Sequence, residues 1–314
     1  MQISRESEAF FQHTVAAEVS CVGVSLHSGD MVNLTIRPAQ ANTGIVFIRK
    51  DVEEGKGVVP ASFDAVTETN LGTTITNKHG ISVCTIEHVM AAIWGSGIDN
   101  VRIELDGPEV PIMDGSSEPF LFLIECAGRV QQRATRRVVE VLREVKVEEG
   151  KSKATLSPAE GFVLDIEIAF NHKLIATQKA SYDFSKTTFK KSLARARTFC
   201  FERDVEAMRA MGLALGGSLH NAVVLGEDDV MNDGGLRYAD EFVRHKALDC
   251  VGDYLLAGGQ IRGAVNTVRP GHSINNKLLR ALFADPANYR ITGGEDADVP
   301  SVVVREEMLE AISA

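Results

Sequence analysis

The chain lacks most of the features that mark a secreted, membrane-spanning or nucleic-acid-binding protein. Its five cysteines, Cys21, Cys84, Cys126, Cys200 and Cys250, are scattered, and no two form a CxxC pair. An odd number without close spacing argues against a disulfide framework. It points to reduced thiols in a cytoplasmic protein, most of them small core residues. No apolar run approaches the roughly 20 residues needed to span a bilayer, so no transmembrane segment is expected. The opening "MQISRESEAFFQHTVAAEVS" has no basic stretch followed by an apolar one, so no secretory signal is visible. Positive charge is not in excess: 33 Lys and Arg stand against 43 Asp and Glu, a formal net charge of −10. That balance argues against nucleic acid or an anionic membrane as partner, but a local basic pocket for a phosphorylated small molecule stays open. Low-complexity segments are absent, as are the HExxH and HxxEH motifs of zinc peptidases.

What is present is an ordinary globular composition, 44% hydrophobic and 24% charged over 314 residues, a length that suits two domains. In the first part, "MVNLTIRPA" and "GIVFIRK" read as strands. "TIEHVMAAIWGSG" switches to helical spacing, with Thr85 as N-cap and Gly95 as terminator. "NVRIELDG" is a further strand, and "EPFLFLIECAG" a helix ending at Gly128. "RVQQRATRR" reads as a polar, basic connector, which divides the chain into residues 1–134 and 135–314. The second part restarts with strands at "RVVEVLREVKVEE", "KATLSP" and "FVLDIEIAF". Helices follow at "KSLARARTF", "RDVEAMRAMG" and Asp240 to Leu256. Strands followed by helices in each part predict an α+β protein of two similar domains.

The last of these helices, "DEFVRHKALDCVGD", carries His245, Asp249 and Asp253 at successive four-residue intervals. Residues four apart are neighbours on a helix face, so the three share one side of a largely apolar segment. Alone, that pattern is equally compatible with an ion-paired helix surface. "TIEH" places Glu87 and His88 in a first helical turn, where the helix-end potential favours an ionised carboxylate and a neutral imidazole. Alone, that pair is equally a favourable helix start beside a packing histidine. Together, His88, His245 and Asp249 make two imidazoles and one carboxylate, the donor count of a catalytic zinc site; the same set also suits Fe(II). Glu87 then stands where a proton acceptor is needed.

The remaining histidines read differently. His13 and His79 are expected at the surface, His220 in a loop, and His27 and His172 as partly buried, hydrogen-bonded residues ending apolar strands. His272 in "RPGHSINN" lies between a Pro-Gly turn and a polar helix start, a position for an exposed, aimed side chain. Asp253, one turn beyond Asp249, would orient it and keep it cationic.

The blocks "TIEHVMAAIWGSGIDN", "PIMDGSSEPF", "RARTF", "LGGSLHNAVV", "LRYADEFVRHKALDCVGD" and "GHSINNKLL" occur in one order. In content and order they resemble the UDP-3-O-acyl-N-acetylglucosamine deacetylases, the zinc enzymes of bacterial lipid A synthesis, from about Val22 to Leu279. The resemblance implies metal ligands at His88, His245 and Asp249, a general base at Glu87, and a cationic helper at His272 paired with Asp253. It implies an oxyanion donor at Thr198 and a substrate-site lysine at Lys246. It also implies an inserted βαβ unit, "RTFCFERDVEAMRAMGLALGGSLHNAVV", lined by Phe199, Phe201, Val205, Ala214 and Ser218 around the substrate's acyl chain. Two positions depart from the family pattern: Cys200 stands where many members have Gly, and Lys173 follows "FNH" where Pro is common. The partner so implied is an acylated UDP-N-acetylglucosamine, acted on by a cytoplasmic monomer. Two other readings are a zinc peptidase, which the missing motifs disfavour, and a silent sensor of acylated nucleotide sugars, which would not need both Glu87 and His272.

Overall fold

In the computed structural model, residues 10–295 are described. The first part runs β1 (Phe11–Val15), β2 (Val19–Val24), β3 (Met31–Pro38), β4 (Ile45–Arg49), β5 (Val58–Pro60), β6 (Val66–Glu68), β7 (Thr74–Thr76) and β8 (Ser82–Val83). Then come helix α1 (Glu87–Ser96), β9 (Val101–Leu105), helix α2 (Glu118–Ala127) and β10 (Arg129–Thr135). A five-stranded sheet in the order β2-β3-β9-β4-β5 forms its centre, with β6, β7 and β8 in a smaller sheet and β1 paired with β10. β3 alternates exposed and buried positions, so Val32, Leu34 and Ile36 enter the core while their neighbours face out.

The second part runs β11 (Val138–Val141), β12 (Val145–Glu149), β13 (Ser152–Ser157), β14 (Phe162–Ala169), β15 (Thr177–Asp183), α3 (Phe189–Ser192), β16 (Phe199–Phe201), α4 (Glu202–Ala210) and β17 (Val223–Leu225). It ends with α5 (Glu241–Tyr254), β18 (Gln260–Val268), α6 (His272–Phe283) and β19 (Tyr289–Thr292). β18 is the spine of a seven-stranded sheet, antiparallel to β13 and parallel to β11 and β14. β16 and β17 are parallel and joined through α4, a small βαβ unit. The protein is therefore α+β.

Several local expectations give way to tertiary contacts. The basic stretch expected as a connector is β10, whose residues pair antiparallel with β1. Thr85 does not cap α1: it sits at φ 57, and its hydroxyl donates to Glu109, while the helix begins after Ile86. The helix also passes through Gly95 and stops at Gly97, which takes the left-handed conformation with its N–H on the Trp94 carbonyl. Gly95 is small for packing, because a Cβ there would overlap the Phe189 ring. "KSLARARTF" forms only the single turn of α3 before extending. His13 is buried and its main-chain N–H donates to Asp99 Oδ2 at 2.8 Å, whereas His79 is exposed as expected and His220 lies exposed in a turn.

The helices that matter most are α1 and α5, which pack against each other. α5 is buried at every position except Arg244 and Lys246, and α1 is buried from Glu87 to Ile93. A helix covered all round sits between layers rather than on a surface. Gly252 of α5 faces the backbone of α1 at Glu87 and Ala91, and the missing side chain lets the two helices approach.

Candidate active site

α1 contributes Glu87 and His88, α5 contributes His245, Lys246 and Asp249, and the first residue of α6 is His272. With Thr198 and Phe199 they line one cleft of about 310 Å³. Asp253 stands behind His272 and accepts at Oδ2 from its Nδ1 at 2.9 Å. His272 is thus buried, not exposed as its turn context suggested, because α6 starts against α5 and not at the surface.

The donor atoms of His88, His245 and Asp249 lie within 4.8 Å of one another. Asp249 Oδ1 is 3.3 Å from His245 Nε2 and 3.7 Å from His88 Nε2. Four-coordinate zinc with bonds of about 2.0–2.2 Å has its ligand atoms roughly 3.3–3.5 Å apart. The Asp249–His245 separation matches such an ion, the Asp249–His88 separation is somewhat wider, and the two imidazoles are bounded only by the 4.8 Å limit. His245 Nδ1 is 3.0 Å from the Ala196 carbonyl; as donor there it leaves the Nε2 lone pair facing Asp249. His88 Nδ1 and Asp249 Oδ1 are buried without a hydrogen-bond partner among the described residues. Buried polar atoms left this way are costly, and a shared cation is the chemistry that would satisfy the Asp249 oxygen.

The electrostatics point the same way. Burial and the neighbouring His245 push His88 down to about 3, and burial lowers His245 as well, so both imidazoles stay neutral. Burial opposes the Asp249 charge, but His245, protonated at the acid pH where this carboxyl would titrate, and Lys246 outweigh it and hold the carboxyl well below the usual range. Burial raises Glu87 to about 7, with His272 opposing and the Asp249 and Asp253 charges adding. Burial disfavours a charged His272, yet Asp253 and Glu87 together lift it to about 9. A raised acid and a raised base face each other across 3.8 Å, from Glu87 Oε1 to His272 Nε2.

Other residues hold these groups in place with almost no signal in the sequence. Thr73 donates its N–H to Glu87 Oε2 at 3.0 Å and its hydroxyl to Asp253 Oδ1 at 2.6 Å. Asn275 donates to Asp253 Oδ2 at 2.8 Å and accepts from Tyr254. Glu241, fully buried, takes a two-pronged ion pair from Arg197 and that residue's N–H at 3.0 Å. This fixes the segment that carries Ala196 and Thr198. Only an acid three residues before the "RHKALD" run hinted at it.

The residues expected around an acyl chain divide between two spaces. Phe201, Val205, Ala214 and Ser218, with Cys200, line a larger cavity of about 1010 Å³ beside α4. Phe199 instead lines the cleft, edge-on to Phe242 with ring centres 5.0 Å apart. Lys246 lies over Phe199 at 6.0 Å and donates to Asp249 Oδ2 at 3.0 Å.

Residues 12–284 match the family model described as UDP-3-O-acyl N-acetylglycosamine deacetylase. The chain belongs to this family. Curated relatives called UDP-3-O-acyl-N-acetylglucosamine deacetylase include one from Anaeromyxobacter sp. (strain Fw109-5), 48% identical over 92% of this chain and 94% of its own length. Another, from Phenylobacterium zucineum (strain HLK1), is 47% identical over 91% of this chain and 98% of the relative. A third, from Shewanella sp. (strain ANA-3), is 48% identical over 92% of this chain and 95% of the relative. Membership in the deacetylase family accounts for the order of the sequence blocks from "TIEH" to "GHSINN". Among the described residues no helix is long and apolar enough to cross a membrane.

Proposed function

We propose that this family member removes the acetyl group of a UDP-3-O-(3-hydroxyacyl)-N-acetylglucosamine, yielding acetate and the free amine, an early committed step of lipid A biosynthesis. The reading includes a divalent ion, zinc or alternatively Fe(II), held by His88, His245 and Asp249. One observation carries it: three buried donors converge beside a buried carboxylate at the contact of α1 and α5. A divalent ion bound there would polarise the acetamide carbonyl and lower the pKa of a water to about 7 in favourable sites.

The side chains supply the rest. Glu87, raised to about 7, takes the proton of the attacking water near neutral pH. Thr198, at the cleft wall, donates its hydroxyl to the oxyanion that develops. His272, cationic and oriented by Asp253, stabilises that charge and protonates the departing amine. Lys246 keeps a positive charge beside the sugar. The larger cavity takes the acyl chain along Phe201, Val205, Ala214 and Ser218, while Phe199 meets the substrate from the cleft wall. In the same proposal the chain divides at residues 134 and 135, the first domain bringing Glu87 and His88 and the second the remaining groups. The same proposal makes the protein a cytoplasmic monomer, and the five free thiols fit a reducing compartment.

Product analysis tests the assignment. Metal-loaded protein given UDP-3-O-(3-hydroxyacyl)-N-acetylglucosamine is expected to release acetate and free amine in equal amounts. Folded, metal-loaded protein that yields neither would overturn it.

A further inference from the structure

One buried carboxylate has no part in the chemistry above. Glu109 is 2% exposed, and three donors converge on it. Oε1 accepts from the Thr85 hydroxyl at 3.0 Å and from His27 N at 3.0 Å; Oε2 accepts from His27 N at 3.1 Å and Ser28 N at 3.2 Å. Its own backbone is fixed, since Val110 N donates to the Cys84 carbonyl at 3.1 Å and Cys84 N to Pro108 at 2.9 Å. An immobile acid therefore grips the turn between β2 and β3, residues 25–29.

The other side of that turn receives the βαβ unit of the second part. Leu215 N donates to the His27 carbonyl at 3.1 Å and Gly216 N to the Leu26 carbonyl at 3.1 Å. Ala214 N donates to His27 Nδ1 at 3.4 Å while Ala214 holds φ 55, a left-handed conformation that costs energy outside glycine. Gly216 is pressed against the Ser25 carbonyl, where a Cβ would overlap. Ala214 and Gly217 line the large cavity, and Leu26 lines the cleft. The turn thus stands between the two spaces and shapes both.

We infer that Glu109 is a positioning residue for acyl-chain recognition: by fixing the 25–29 turn it fixes the 213–217 wall, and so aligns the cavity with the cleft. The inference rests on the deacetylase reading above. Every partner of Glu109 is a donor, so the site needs a carboxylate. A glutamine there keeps one oxygen for the rotatable Thr85 hydroxyl but turns an NH₂ toward a main-chain N–H. The contact from Ser28 N and the second one from His27 N are lost, so the grip on the turn is weakened while the contact near Glu87 survives.

The test compares kcat/KM of zinc-loaded wild type and Glu109→Gln on two substrates, one with a long 3-hydroxyacyl chain and one carrying only a short acyl group. Zinc content and Tm are recorded for each protein. The expected result is a fall of about tenfold or more in the long-to-short ratio, expressed in KM for the long chain, with zinc content kept. An unchanged ratio, or equal losses on both substrates, would overturn the proposal. Gly216→Ala displaces the same contact from the other side and must shift the ratio in the same direction. It carries the test if Glu109→Gln does not fold. Failure of the deacetylase reading shows separately, as wild type inactive on both substrates.

Discussion

Gly252 of α5 lies against the main-chain carbonyl of Glu87, and a Cβ at this position would overlap that oxygen. The contact sets how closely the helix bearing His245 and Asp249 meets the helix bearing His88. Gly252→Ala adds one methyl group to a packed helix crossing, at a cost of about 1–3 kcal/mol. The expected protein folds with a lowered Tm and weaker metal binding than wild type, measured by thermal denaturation and metal titration. Undiminished metal affinity would mean that the helix spacing does not set the donor geometry.

On the proposed mechanism, His272 and Asp253 set the alkaline side of the pH profile. The cationic imidazole, lifted to about 9, is present at neutral pH and is lost as pH rises through that value. Its folded pKa lies above the ordinary value near 6.5, so its stabilising contribution is full below that value and declines up to about 9. Asp253→Asn removes the leading favourable charge and leaves the opposing burial. The descending limb of kcat/KM against pH should therefore move to lower pH by about one unit or more. A limb that stays in place would show that His272 is not the group that titrates.

Thr73 ties Glu87 to Asp253 across the two parts of the chain. Thr73→Val keeps the N–H to Glu87 and removes the hydroxyl from Asp253, leaving a buried carboxylate oxygen short of a partner. The loss of a hydrogen bond to a charged group implies about a 10- to 100-fold fall in kcat, and Thr73→Ser should restore most of it. Equal rates for the Val and Ser variants would remove Thr73 from the account.

These contacts mark where the sequence is legible and where it is not. Asp249 follows His245 by four residues, so a helical period alone puts them on one face, and α5 spans Glu241–Tyr254 as that period implies. β3 and β14 alternate as strands covered on one side do. Thr73 meets Asp253 across 180 positions, and no local pattern carries that information. The strand Arg129–Thr135 is polar at most positions, and only its pairing with β1 makes it a strand. His13 looked solvent-exposed beside Gln12, yet both are buried in contacts to distant residues. Sequence periodicity supplied the helix faces; the contacts between distant segments came from packing.

The proposed mechanism gives Glu87 a role separable from metal binding. Glu87→Gln retains the shape and the contact from Thr73 but cannot take a proton, and general-base loss typically costs about 10²–10⁴ in rate. The variant should hold metal as wild type does while kcat falls by that order, as read by metal analysis alongside acetate release. Retention of wild-type kcat would assign the base elsewhere.

The central claim is that His88, His245 and Asp249 hold the ion on which hydrolysis depends. The direct measurement is bound metal and acetate release, followed together in wild type before chelation, after chelation and after Zn²⁺ is returned, with Asp249→Asn in parallel. The account expects about one ion per chain, activity that disappears and returns with it, and an Asp249→Asn protein that is folded but poor in metal and inactive. Full acetate release from metal-free wild type, or a normal metal content in Asp249→Asn, would contradict it.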